Sequence, residues 1–221
     1  IPITWQTPST PGNYWLTARA TGPGIAGNPV LSQRFLHVVE PAPITAALAK
    51  RTFVILGSDA KAAAFFSEKG LVTSSDTSRL DPDNDMVIIW NPANLTAAEK
   101  QSAPALCRFA DAGGHVVVLS TASWDWSALC DVQIGTRTSS RAFLYQGASH
   151  PMLDGIEPEF FTRWNCVRRR GLVANNDLDN LSRANEILWV YQPGDTVVAE
   201  VPAATGSGMI LFSQLDIRDR L

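Results

Sequence analysis

The sequence predicts a mixed α/β protein: a short β segment, then a three-layer domain with a parallel sheet between two layers of helices. Residues 1–41 alternate apolar and polar side chains with the two-residue period of half-buried strands. From residue 42 to 221, short and nearly continuous apolar runs alternate with amphipathic segments bounded by cap and stop signals. A β-α-β-α-β order of that kind calls for parallel strands joined by right-handed crossovers, with helices on both faces. The 221 residues, 45% of them hydrophobic, suffice for one sizeable core plus an appendage.

In "GNYWLTARATG", Tyr14, Leu16, Ala18 and Ala20 alternate with Asn13, Trp15, Thr17 and Arg19, and "VLSQRFLHVVEP" repeats the pattern beyond a Gly/Pro turn, "GPGIAGNP". With "IPITWQTPSTPG" this makes about three strands, whereas an Ig-like sandwich needs about seven. The segment therefore reads as the closing strands of a β-sandwich. The missing initiator Met, and an ending "DIRDRL" that follows directly on an apolar strand, suggest a piece of a longer chain.

Beyond "EPAPI", "TFVILG" is a strand and "DAKAAAFFSEKG" a short helix with an Asp59 cap and a Gly70 stop. "DMVIIW" is the next strand. "LTAAEKQSAPALCRFADAGG" is expected to form one helix that opens on a Thr96/Glu99 capping box and buries Leu106, Phe109 and Ala110. "HVVVLS" is the third buried strand. "EILWVY", "TVVAEV" and "GMILFSQL", the last two joined by a "TGSG" turn, meet more directly and predict an antiparallel far edge.

Eighteen basic and 21 acidic residues give a formal charge of -3, and Arg168–Arg170 is an isolated basic cluster, so nucleic acid is not an expected partner. The apolar runs are too short to span a bilayer and no signal peptide opens the chain, so no membrane association is expected. Cys107, Cys130 and Cys166 are widely spaced, without a CxxC pair, which indicates neither a disulfide framework nor a zinc site. Asp81, Asp83 and Asp85 have EF-hand spacing, but Met86 stands where the loop needs Gly. In "NNDLDNLSRANE", Asp177, Asp179 and Glu186 fit better, yet Asn175 and Asn180 replace key positions. Both stretches read as turns; no metal and no cofactor is expected.

A ligand site in such a sheet lies beyond the carboxyl ends of the strands. That rim offers Ser58 and Asp59 after the first strand, Asn91 after the second, and Ser120, Thr121, Trp124, Asp125 and Trp126 after the third. "GSDAKAAAF" lacks the glycines of a phosphate loop. "LSTAS" stands where a nucleophile elbow would be, but without Cys or flanking Gly. His150 in "GASHPMLDGI" is the base a Ser120 hydroxyl would require, which makes a Ser120/His150 hydrolase the enzyme alternative. His37 and His115 read as structural. Trp124 and Trp126 flank Asp125 and would offer stacking faces to a sugar or packing faces to a neighbouring domain.

"PGNYWLTARATG...NPVLSQRFLHVVEP" resembles the closing Ig-like strands of bacterial family 2, β-galactosidase-like glycoside hydrolases. "FADAGGHVVVLS", "HPMLDGI" and "GSGMILFSQLDI" resemble the flavodoxin-like, class I glutamine amidotransferase-like domain that some of these enzymes carry near the C-terminus. True amidotransferases use an elbow Cys and a His-Pro-Glu partner; here Ser120 and Thr121 hold the elbow and His150-Pro151 continues to Met152. The resemblance thus implies a non-catalytic accessory region that packs on an upstream catalytic domain or mediates homo-oligomerisation. Carbohydrate is a further implied partner, and the parent would be a bacterial secreted or periplasmic enzyme.

Overall fold

The computed structural model describes residues 6, 8–20, 22, 30–38, 43–119, 129, 132–135, 144–146, 150, 153, 177–190, 195–215 and 217. The chain divides into two compact units, Ile1–Thr45 and Ala46–Leu221, a boundary a few residues past the predicted one at residue 41.

In the first unit β1 (Gly12–Ala20) and β2 (Val30–Val38) pair antiparallel along their whole length, from Gly12 opposite Val38 to Ala20 opposite Val30. The further strand expected in residues 1–5 lies outside the described residues. On this ribbon Trp15 is 64% and Leu31 58% exposed.

The second unit begins with a one-turn helix α1 (Ala46–Ala49), followed by β3 (Thr52–Leu56), α2 (Ala60–Glu68), β4 (Val72–Ser74) and β5 (Asp85–Ile89). After a 3₁₀ turn at Pro92–Asn94 come α3 (Ala97–Gln101), α4 (Ala103–Asp111) and β6 (His115–Leu119). Then follow β7 (Gln133–Ile134), β8 (Leu144–Gln146), β9 (Leu178–Asp179), β10 (Asn185–Val190), β11 (Thr196–Pro202) and β12 (Met209–Ser213). These form one ten-stranded mixed sheet in the order β4-β3-β5-β6-β12-β11-β10-β8, with β9 on β11 and β7 on β9. The strands from β4 to β12 run parallel, and every pairing beyond β12 is antiparallel, as the sequence predicts for that edge.

Two-sided burial explains the uninterrupted apolar strands. Val54, Leu56, Val87, Ile89, Val116 and Val118 face a core closed by Ala103, Leu106, Phe109 and Ala110 of α4. Phe53 and Ile55 alternate with them and face Ala62 and Phe66 of α2, together with Trp90 and Leu119. The parallel half is thus covered on one face by α2 and on the other by α4. Each fully covered Leu or Phe contributes on the order of 2 kcal/mol of transfer free energy.

The single helix expected over residues 95–114 is two helices, broken at Ser102. Pro104 is the cause: its ring has no N–H to give and would collide with the Lys100 carbonyl if the helix continued. It is accommodated in the first turn of α4, where no donor is needed.

Candidate functional site

Strand order reverses between β3 and β5, because the chain leaves β3 for β4 on one side and returns to β5 on the other. The crevice outside such a switch point is where α/β sheets bind ligands. Here the chain fills it. Gly57 has φ +61, and a Cβ built on it would stand 2.2 Å from the Asn91 carbonyl oxygen, so the β3 and β5 loops touch backbone to backbone. Trp90 N–H donates to the Leu56 carbonyl at 2.9 Å, which ties the two strand ends together.

Glu99 closes the remaining gap. Its Oε1 accepts the Gly57 N–H at 2.9 Å and its Oε2 the Thr96 N–H at 2.7 Å, while Thr96 Oγ1 accepts the Glu99 N–H at 3.2 Å. The predicted capping box is therefore present, with an added long-range bond to the switch point. Partial burial alone would raise the Glu99 pKa, but hydrogen bonds from Thr96 N–H, Gly57 N–H and the Thr96 side chain outweigh it and hold the carboxyl below the usual range.

A group whose folded pKa is depressed contributes stability above its unfolded pKa and loses it as pH falls through the folded one. Glu99→Gln is therefore expected to cost about 1 kcal/mol at neutral pH, near the low end for a lost cap because the side chain is partly exposed. The difference from wild type should narrow as pH falls through the acidic carboxylate range. Urea unfolding at several pH values checks this, and a pH-independent difference would contradict the assignment.

Two of the predicted rim residues have local duties. Asp59 caps α2, its Oδ1 accepting the Ala62 N–H at 2.9 Å. Asn91 caps the 3₁₀ turn through Ala93 N–H at 3.2 Å. Ser58 lines a crevice of about 320 Å³ between α2 and the β3–β4 edge, where Ser58, Thr73, Ser74 and Ser75 face an apolar wall that includes Phe66 and Ile55. Ser120, Thr121, Trp124, Asp125 and Trp126 lie outside the described residues, as do Cys130 and Cys166.

His150 Nε2 stands 2.9 Å from Glu200 Oε2 on β11, with the two side chains 22% and 19% exposed. Neither capping nor strand patterns pointed to this contact, because the partners are far apart in sequence. His115 begins β6 and is part-buried. Cys107 donates its thiol to the Leu129 carbonyl at 3.2 Å; burial pushes its pKa up, Asp111 adds to the rise and Arg108 opposes it, so the thiol is not activated.

Asp81, Asp83 and Asp85 form the expected turn: Asp81 accepts from Asp83 N–H and from the Asn84 amide, and Asp85 accepts from Asp81 N–H. In the second acidic stretch Asp177 is 5% exposed, Asn180 has φ 59, and Glu186 accepts the Thr196 hydroxyl. Among the described residues no three His, Cys, Asp or Glu side chains are grouped as a metal ion would need. Nor is any described helix long and apolar enough to cross a membrane. No family model matches the chain, and neither the curated proteins nor the solved structures compared with it include a match.

Proposed function

We propose that this chain is a non-catalytic accessory region of a β-galactosidase-like glycoside hydrolase. In this reading the α/β unit is a flavodoxin-like, amidotransferase-like domain that serves packing, oligomerisation or weak sugar binding. The unit Ile1–Thr45 supplies the last strands of an Ig-like sandwich.

One observation carries the proposal. Asp59, Asn91 and Glu99, the three carboxylate or amide side chains described at the carboxyl rim around the switch point, are each engaged in a local cap, and the crevice between Gly57 and Asn91 is closed by backbone. A switch point whose described polar side chains hold its own loops suits a scaffold better than a reaction site. The ribbon supports the same reading, since the two strands described there would be marginal in water by themselves and Leu31, 58% exposed, adds apolar surface to them. The uncharged hydroxyls and apolar wall of the Ser58 crevice suit a neutral polyol.

A second reading, the Ser120/His150 hydrolase, is favoured by the His150–Glu200 contact, since a carboxylate on one ring nitrogen is how a catalytic base is oriented. One set of assays separates the two. The 221-residue chain is expected to turn over neither aryl-galactosides nor glutamine nor nitrophenyl esters. Ester hydrolysis abolished by Ser120→Ala and by His150→Ala would establish the second reading, and turnover of either of the other substrates would overturn the first.

A further inference from the structure

At the end of the sheet opposite the carboxyl rim, α4, the β11–β12 connection and residues 180–184 line an open cavity of about 190 Å³. Its walls are Ala110, Leu129, Val132, Val201 and Ile210, with Leu129 and Val132 each only 4% exposed. A cavity of roughly 150 Å³ accommodates a benzene-sized body, so this one has room for a branched aliphatic side chain.

Two opposite charges line the same cavity, Asp111 at the end of α4 and Arg183 on the covering loop. They are not joined to each other: among the described residues Arg183 makes no ion pair, and Asp111 accepts only the Ala204 N–H, at 3.0 Å through Oδ1. A carboxylate has about four acceptor positions, so most of Asp111's capacity is unused by that bond. Asn180 and Ser182 add an amide and a hydroxyl. Cys107, the remaining polar group in the wall, is a neutral thiol because burial raises its pKa.

The cavity therefore combines an apolar wall with one anion and one cation that are not paired with each other. We propose that it binds a small zwitterion with an apolar side chain, of the class of an aliphatic α-amino acid. Such a ligand places its ammonium on Asp111 and its carboxylate on Arg183 while its side chain lies against the apolar wall. A lone carboxylate satisfies Arg183 but is repelled by Asp111, and a lone amine meets the reverse difficulty; a ligand carrying both charges avoids either cost. The site is separate from the carboxyl rim and does not depend on the reading given for it.

Titration of the isotope-labelled chain with L-leucine, followed by NMR, tests the proposal. Saturable shifts are expected at the amides of Ala204 and of residues 180–184, with a millimolar Kd. Isocaproate, which lacks the amine, and isoamylamine, which lacks the carboxylate, are each expected to bind about tenfold more weakly or worse. Arg183→Gln alters an exposed side chain and should leave the unfolding midpoint unchanged while weakening leucine about tenfold. Asp111→Asn retains an acceptor for Ala204 and should weaken leucine similarly. The proposal is overturned if leucine gives no saturable shift up to about 50 mM. Equal binding of the single-charge analogues, or a response indifferent to Arg183→Gln, overturns it as well.

Discussion

Gly57→Ala is expected to destabilise the α/β unit by about 3 kcal/mol or more, one of the two largest effects of a single substitution in this chain. The φ of +61 costs a side-chain-bearing residue about 1 kcal/mol. The larger share is steric: the new methyl would stand 2.2 Å from the Asn91 carbonyl oxygen, and backbone on both sides must move to admit it. Those shifts would also pull Gly57 N–H away from Glu99. Gly70→Ala separates the two causes, because Gly70 has a similar φ of +65 with no atom within 4 Å of the added carbon. It should cost only about 1 kcal/mol. Urea unfolding followed by tryptophan fluorescence measures both, and equal losses at the two positions would show that the close approach of the loops does not matter.

Phe212→Ala is the second. Phe212 lies on β12, 1% exposed, in the core beneath α4. Removing its ring leaves a hole bounded by β6, β11 and α4, and such truncations cost about 3–5 kcal/mol. That is a large fraction of the roughly 5–15 kcal/mol by which domains are stable. Phe212→Leu should cost less than half as much, since most of the volume is retained. A Phe212→Ala chain that unfolds within about 1 kcal/mol of wild type would mean that the Phe212 ring is not packed in the core beneath α4.

The parts of the fold that were legible in the sequence are those whose burial is two-sided or whose ends are marked. The runs at Phe53–Leu56, Val87–Ile89 and Val116–Leu119 announce themselves because both faces are covered, and Asp59 and Thr96 mark helix starts by their own hydrogen bonds. Pro104 marked the break between α3 and α4 as well, yet the apolar spacing across it read as one helix. β4 was not legible, since three residues with Val72 59% exposed carry no period. β7, β8 and β9, two or three residues each, take their identity from partners distant in sequence.

At the candidate site the caps were visible, but the second bond of Glu99, to Gly57, was not, because it depends on how the β3 and β5 loops meet. The Asp111–Arg183 cavity was invisible for the same reason: its walls come from α4, β11, β12 and a loop that only the folded chain assembles.

The place of β12 has a consequence for how the chain comes into being. His115 pairs with Met209, and Leu119 with Ser213, so the strand that joins the parallel half to the antiparallel half is synthesised well after the β6 edge it pairs with, and after the other described strands of the sheet. Until it emerges from the ribosome, β6 offers an unpaired apolar edge, and the β11 edge has nothing to dock against. A nascent chain in that condition is open to pairing with other nascent chains, and closure through such distant contacts is slow. Stalling translation before residue 209 should therefore leave a chaperone-dependent, aggregation-prone intermediate, whereas release after residue 213 should let the two halves zip together through a single strand.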